Sequence, residues 1–284
     1  MIEDKTVALA QLLNDASASG SLSRLEAEVL MSHAIEKPRS YLFAWPEYKL
    51  TEQQQTTFLT LLERHRQGEP VAYIIGRREF WSLSLKVTPA TLIPRPETEQ
   101  LVERALALLQ PMSQGRIADL GTGSGAIAAA LASERPDSSI VATDQSEAAL
   151  EVARFNFDNL GLKNIRTQSG SWFSALPTNE TFDLIISNPP YIAEQDPHLL
   201  NDGLPWEPGS ALVSGTDGLD DIKHLIERAP DHLNTQGWLI LEHGFDQGEA
   251  VRALFSAAGY REVATHPDLE RRDRITEGRK PERE

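Results

Sequence analysis

The 284-residue chain reads as an α/β protein, in which a doubly wound, mostly parallel sheet follows a small N-terminal helical bundle. Three observations carry that reading. Beyond about residue 115, apolar strand-like runs alternate with helical stretches. Before about residue 70, capping boxes and helical apolar spacing dominate. At the start of that later part, a glycine-rich turn joins its first strand to an alanine-rich helix.

In the N-terminal part, Ser23-x-x-Glu26 and Thr51-x-x-Gln54 each open a helical run. The first groups Leu25, Val29, Leu30, His33 and Ala34 and stops at Pro38; the second groups Phe58, Leu59, Leu61 and Leu62 and ends near Gly68. Ala72–Gly76 is strand-like. Trp81, Leu83, Leu85 and Val87 alternate with Ser82, Ser84 and Lys86, the period of a half-buried strand, so a hairpin or extended linker is predicted there. Pro94–Glu99 opens a helix running to about Gln110, with acids in its first turn where the helix dipole favours them.

Six later strands are predicted at Arg116–Leu120, Ile140–Thr143, Ile165–Gln168, Phe182–Ser187, Trp238–Glu242 and Glu262–Thr265. Helices are predicted near 126–134, 146–160, 217–234 and 246–258, and the charged end after Gly278 reads as disordered. In an open sheet of this kind, ligands bind outside the carboxyl ends of the strands.

Composition narrows the function. No run approaches the ~18 apolar residues of a membrane span, and the acidic start Met1–Asp4 is no signal peptide. The absence of cysteine excludes thiolate metal sites and cysteine nucleophiles, and a reducing cytoplasm is the expected home. A net charge of −15, with Lys and Arg dispersed among acids, offers no basic face to track phosphates, so direct nucleic-acid binding is not expected. The seven His show no zinc-ligand spacing, and no metal is expected.

Two motifs carry chemistry. Asp119-Leu120-Gly121-Thr122-Gly123-Ser124-Gly125-Ala126 follows an apolar strand, and its glycines allow a tight turn and close approach of a ligand. It satisfies a dinucleotide fingerprint too, so the loop alone does not separate one nucleoside cofactor from another. Asp144, ending the next strand, stands where a ribose-binding carboxylate belongs. No Gly-Lys-Ser/Thr follows, which argues against a triphosphate loop. The second motif is Asn188-Pro189-Pro190-Tyr191, a strand running into a ring-stiffened turn. Its prolines supply no N–H, so nearby carbonyls and the Asn188 oxygen are acceptors suited to a substrate –NH2, and Tyr191 offers a flat face for a planar group.

Together these motifs resemble the class I S-adenosylmethionine-dependent methyltransferases that act on planar nitrogens. Within that class, Leu92–Glu99, Leu241-Glu242-His243-Gly244 and the Arg274–Arg279 end resemble the bacterial peptide chain release factor N5-glutamine methyltransferases. The resemblance implies a seven-stranded methyltransferase sheet with residues 96–284 as the catalytic domain, residues 72–95 as a hairpin linker and residues 1–71 as a helical substrate-docking domain. It implies S-adenosylmethionine held by Gly121, Thr122, Gly123, Ser124, Gly125 and Asp144, with Trp172 flanking the adenine and Asn188 touching the cofactor as well. Asn188, Pro189, Pro190 and Tyr191 would grip the glutamine of the Gly-Gly-Gln loop in release factors. Where many relatives carry Asp before the tryptophan, this chain has Ser171.

Methyl transfer by direct displacement needs orientation rather than an obvious general base, and His243 reads as structural. A glutamine methyltransferase acting on a ribosomal protein, an adenine-N6 DNA methyltransferase and a non-catalytic cofactor-binding module share parts of the pattern. The stretch Ile192–Ile222 has no Lys or Arg while Glu194, Asp196, Asp202, Glu207, Asp217, Asp220 and Asp221 lie in it, an acidic rim expected to steer a basic protein substrate.

Overall fold

A computed structural model describes residues 8–18, 22–110, 112–200 and 203–281. It divides into two units, Met1–Gly76 and Arg77–Glu284.

In the first unit the helices are α1 (Leu9–Ala18), α2 (Arg24–Ile35), α3 (Arg39–Ala44), α4 (Glu52–Arg66) and α5 (Val71–Ile75). Both capping boxes form: the Ser23 hydroxyl accepts the Glu26 N–H while the Glu26 carboxylate accepts the Ser23 N–H, and Thr51 with Gln54 repeats the exchange. Leu13, Leu30, Met31, Phe58 and Leu62 are among the buried core residues. The inward face of α2 differs from the one the spacing suggests. Ala27, Leu30, Met31, Ala34 and Ile35 turn in, leaving Leu25 exposed and Val29 and His33 half-buried. Glu28 can join that face because Arg24 and Arg39 pair with its carboxylate at 2.9 and 2.7 Å. On α4, likewise, Leu59 is exposed beside buried Phe58, Leu61 and Leu62.

Residues 72–76 are not a strand. Pro70 starts α5 and Gly76 stops it at φ +70°, and burial of Ala72, Tyr73 and Ile74 overrides their β propensity.

The second unit opens with the hairpin β1 (Arg77–Phe80) and β2 (Leu83–Lys86). Trp81 and Ser82 form its turn at φ +53° and +58°, which breaks the single 81–87 strand that the alternation suggests. Then follow α6 (Thr98–Leu109), β3 (Arg116–Leu120), α7 (Ala126–Glu134), β4 (Ser139–Asp144), α8 (Glu147–Asn159), β5 (Ile165–Ser169), β6 (Phe182–Ser187), α9 (Asp220–His232), β7 (Leu233–Glu242), α10 (Gly248–Ala257), β8 (Arg261–Pro267) and β9 (Asp273–Arg279). The seven-stranded sheet has the order β5-β4-β3-β6-β7-β9-β8. Its β5-β4-β3-β6-β7 part is parallel, and β9 runs antiparallel to both β7 and β8.

Alternate residues of each central strand serve opposite faces. Ile117, Leu184, Ile186 and Ile240 pack with α6, α7 and α8, whereas Ala118, Ile185, Leu239 and Leu241 pack with α9 and α10. β9 is the strand that hydropathy misses. Its sequence is Asp-Arg-Ile-Thr-Glu-Gly-Arg, and Glu277 is buried because Arg104 reaches it at 2.6 Å and His266 at 3.3 Å. The end after Gly278 is not loose where it is described: Arg279 pairs with Trp238 and the Lys280 N–H donates to the Gly237 carbonyl. Residues 282–284 of that end lie outside the described residues.

Gly125 begins α7 at φ +82°, and a Cβ there would lie 2.6 Å from the Phe157 ring. Gly123, at φ +56°, has open space around that position. Gly125→Ala is therefore expected to cost about 2–4 kcal/mol, from overpacking plus left-handed strain, and Gly123→Ala about 1–2 kcal/mol from strain alone. Urea denaturation of both variants checks this; equal losses would mean that the Phe157 ring moves aside.

Candidate active site

At the β3/β6 boundary the sheet changes its direction of growth, so the loops after these two strands diverge and leave a crevice. The Ser187 hydroxyl, donating to the Leu120 carbonyl at 2.6 Å, ties the two strand ends together. The cleft above them has a volume of about 1000 Å³, open solvent included. Its walls bring together Gly121, Thr122, Gly123, Ser124, Asp144, Trp172, Asn188 and Pro190 from positions up to 69 residues apart in the chain. Gly125, Pro189 and Tyr191 do not line it.

Each wall has a local cause. The Thr122 N–H donates to the Thr143 carbonyl and its hydroxyl to the buried Asp119 carboxylate at 2.6 Å, which folds the glycine loop back over β4. Asp144 then receives the Gly123 N–H at 2.9 Å on one oxygen and the Ser146 N–H at 2.8 Å on the other. Burial nevertheless raises its carboxyl above the usual range, with those bonds opposing the shift. Asp119 is pushed further, up to about 7, chiefly by complete burial against the opposing bonds from Thr122 and Ala128. Its Oδ1 has no partner.

Trp172 adopts φ +47°, and its ring lies over Gly121 where a Cβ would meet it at 3.3 Å. Its indole N–H donates to Asp221 at 3.1 Å, and Asp221 is itself held by the hydroxyl and, through its own N–H, the side chain of Ser214. Ser171 lines the cleft beside it.

On the opposite wall, Asn188 donates through Nδ2 to the Thr98 hydroxyl at 3.3 Å. Among the described residues no donor is directed at the carbonyls of Asn188, Pro189 or Pro190, whereas the Tyr191 carbonyl accepts from Gln247 at 3.0 Å. The Tyr191 ring packs into the core near Glu242, which together with burial pushes its hydroxyl far up. The ring does not line the cleft as the stacking face that the motif suggests, whereas Pro190 does. His243 is spent within the fold, its ring nitrogens facing the Gly244 carbonyl and the Thr276 hydroxyl at 2.9 Å each.

The acidic stretch divides. Glu207 is buried, pairs with Arg95 and accepts the Ile93 N–H at 2.9 Å; Asp221 braces Trp172; Asp217 pairs with Lys223 at 2.8 Å. Glu194 is exposed and Asp196 meets His198, while Asp202 lies outside the described residues. The contacts of Thr98, Glu207 and Asp221 escape a sequence reading because each partner is many residues away, with no periodicity to announce it.

Among the lining residues Arg95 is the sole Lys or Arg, and Glu207 already neutralises it. The cleft therefore offers no unpaired cationic side chain to a ligand. Among the described residues no group of His, Asp and Glu is placed to hold a metal ion, and no helix is long and apolar enough to cross a membrane.

Sheet order, glycine loop and strand-end carboxylate define a methyltransferase. Residues 99–201 match the methyltransferase small domain family and residues 9–76 the PrmC N-terminal domain. A solved methyltransferase from Pyrococcus furiosus, 20% identical, covers 77% of this chain and all of its own with a TM-score of 0.54, a likeness of fold. The release factor glutamine methyltransferase of Xylella fastidiosa is 52% identical over 266 residues, 94% of this chain and 96% of that protein. That of Escherichia coli is 49% identical over 271 residues, 95% and 97% of the two chains. The chain belongs to the release factor glutamine methyltransferase family.

The Arg95–Glu207 pair joins two walls of the cleft, and its partners differ in burial: Arg95 keeps 33% of its side chain exposed and Glu207 only 1%. Removing the arginine strands a buried charge, whereas removing the acid leaves an arginine that water still reaches. Arg95→Met is expected to cost about 2–4 kcal/mol and Glu207→Gln about 1–2 kcal/mol. Thermal unfolding of the two variants checks the order, and the reverse order would place the charge burden on Arg95.

Proposed function

We propose that this enzyme transfers a methyl group from S-adenosylmethionine to the side-chain amide nitrogen of the glutamine in the Gly-Gly-Gln loop of peptide chain release factors. The observation that carries this reading is Asn188, whose –NH2 points back into the fold at Thr98 and whose oxygen is thereby left for the cleft. Beside it are the undonated carbonyls of a double-proline turn. A substrate –NH2 has two donors and no charge, and acceptors on this wall match it.

When bound, S-adenosylmethionine supplies the methyl group on a positively charged sulfur. Asp144 would receive the ribose hydroxyls, Gly121 and Gly123 would let the nucleoside approach the backbone, and Trp172, whose ring lies over Gly121, would wall that end of the cleft. An amide nitrogen is a poor nucleophile because its lone pair is shared with the carbonyl. Asn188 and the neighbouring carbonyls draw on its hydrogens, which raises electron density on nitrogen and aims it along the displacement line. Orientation of this kind supplies up to ~7–11 kcal/mol of barrier reduction. The proton becomes acidic as the new N–C bond forms and leaves late, so no strong base is needed.

The family membership supports release factors over a ribosomal protein, and the −15 net charge argues against a DNA substrate. Exposed Leu25, Phe43, Trp45 and Leu59 on the N-terminal helices suit docking of a protein substrate, and Glu194 at the surface suits a basic one. Transfer of labelled methyl to release factor, ribosomal protein and DNA tests the reading; label on DNA or ribosomal protein alone would end it.

Two variants separate the roles. Asn188→Ala is expected to lower single-turnover transfer by ~10²–10³-fold with cofactor affinity nearly unchanged; activity within about threefold of the parent would remove Asn188 from the substrate site. Asp144→Ala is expected to weaken the cofactor first, since charge-assisted bonds are worth ~1.5–3 kcal/mol each. Calorimetry measures this, and an unchanged dissociation constant would move the ribose site elsewhere.

A further inference from the structure

Trp172 does not hold its own place. Its backbone is in the left-handed region at φ +47°, which a non-glycine residue keeps only where its surroundings fix it. It stands at the start of a single short turn, Trp172–Ala175, between β5 and β6. The indole is nevertheless pinned at both ends. Cζ3 and Cη2 of its six-membered ring lie 3.3 and 3.5 Å from where a Gly121 Cβ would stand, so the ring covers the glycine loop, and both residues line the cleft. At the other end, Nε1–H donates to Asp221 Oδ1 at 3.1 Å.

Asp221 is fixed more firmly than the tryptophan it holds. It sits in the first turn of α9, where the helix dipole favours a carboxylate. Its Oδ2 accepts the Ser214 hydroxyl at 2.7 Å, and its own N–H donates to Ser214 Oγ at 2.8 Å. Ser214 is buried, and its N–H donates to the Ile192 carbonyl at 3.0 Å, one residue past the Asn188–Tyr191 turn. Gly218, between the two in the chain, packs so closely on Tyr191 that a Cβ would stand 2.2 Å from the Tyr191 carbonyl oxygen. A chain of contacts thus runs from the double-proline turn through Ser214 and Asp221 to the indole, and ends on Gly121. The helix is served by Ser214 and the acid alone. The bond from the indole to Oδ1 adds nothing to α9.

We propose that Asp221 is the positioning residue for Trp172: it selects the indole orientation that walls the cofactor end of the cleft, and through Ser214 it refers that wall to the substrate turn. This rests on the reading of Trp172 as part of the cofactor site. Without Oδ1 the left-handed backbone and the indole rotation lose their fixed point, and the ring populates orientations that leave Gly121 uncovered. A cofactor that needs the walled orientation then binds more weakly, in proportion to the time the ring spends away from it. Groups on the substrate wall are untouched, so KM for S-adenosylmethionine rises while kcat at saturation stays near the parent's value.

The test is calorimetric binding of S-adenosylmethionine with steady-state methylation of intact release factor, for Asp221→Leu, Asp221→Asn, Trp172→Ala and the double variant Asp221→Leu with Trp172→Ala. Asp221→Leu is expected to weaken cofactor binding about tenfold, as a fall of the braced population to about a tenth requires, with kcat within about twofold of the parent. Asp221→Asn keeps an oxygen for the indole N–H and should bind within about threefold of the parent. The double variant should bind no more weakly than Trp172→Ala, because an effect exerted through the ring vanishes with the ring. A role confined to the start of α9 would lower stability and leave cofactor affinity alone. Additive losses in the double variant, or Asp221→Asn as weak as Asp221→Leu, overturn the proposal. If Trp172→Ala weakens binding and Asp221→Leu does not, the brace is wrong and the reading of Trp172 stands. If Trp172→Ala binds like the parent, both fall. Should Asp221→Leu fail to fold, Ser214→Ala, which frees Asp221 from its anchor, is expected to weaken cofactor binding about threefold, and parent-like binding by that variant overturns the brace.

Discussion

From β3 the sheet grows in two directions: β4 and β5 extend it on one side, and β6, β7, β9 and β8 on the other. The ends of β3 and β6 are consequently neighbours from which chains leave in divergent directions, and a crevice at that point is a consequence of topology. Everything chemical in the molecule hangs on this placement. Residues 119–125 arrive there from β3 and residues 188–191 from β6, and the Ser187 hydroxyl bond to Leu120 locks the two ends at a fixed spacing. Aliphatic side chains on both faces of the same strands supply the rigidity, because moving either loop would shift a buried strand.

Against that frame the polar groups divide by the charge they can hold. Asp119 and Glu242 stand behind the two loops, each fully buried, each with an oxygen lacking a partner, and each pushed up to about 7. Neither lines the cleft; Asp119 accepts from the hydroxyl of Thr122, which shapes a wall of it. Asp144, half-exposed and bonded by two backbone N–H groups, faces the cleft itself. Cationic groups near the site are neutralised in place, as Arg95 is by Glu207. The outcome is a pocket that offers acceptors and little net charge, suited to an uncharged amide beside a positively charged methyl donor.

Much of this was legible in the residues. Strands β3, β4, β5 and β6 and helices α7 and α8 follow from apolar runs punctuated by glycine, and both motifs fall at the strand ends where their composition places them. Other features had no local signature. Strand β9 has one buried aliphatic residue, Ile275, and its buried Glu277 is met by Arg104 and His266 from other elements. Helix α5 is built of residues that favour strands and is held by burial between Pro70 and Gly76. Tyr191 stands in a motif that suggests a stacking surface, yet its ring turns into the core. The split of the acidic stretch into braces and surface charges is likewise decided by Ile93, Arg95, Trp172 and Ser214, none of which its own sequence reveals.

The proposed selection of an uncharged –NH2 by acceptors in the cleft is open to direct measurement. The most direct measurement replaces the glutamine of the release factor loop by glutamate and locates any methyl group in the product by fragment-ion mass spectrometry. Glutamine is expected to be methylated on its side-chain nitrogen. Glutamate, which brings acceptors and a charge and no donor, is expected to be left unmodified even when the protein still binds. A methyl ester on glutamate, formed at a rate comparable to the amide product, would contradict the account.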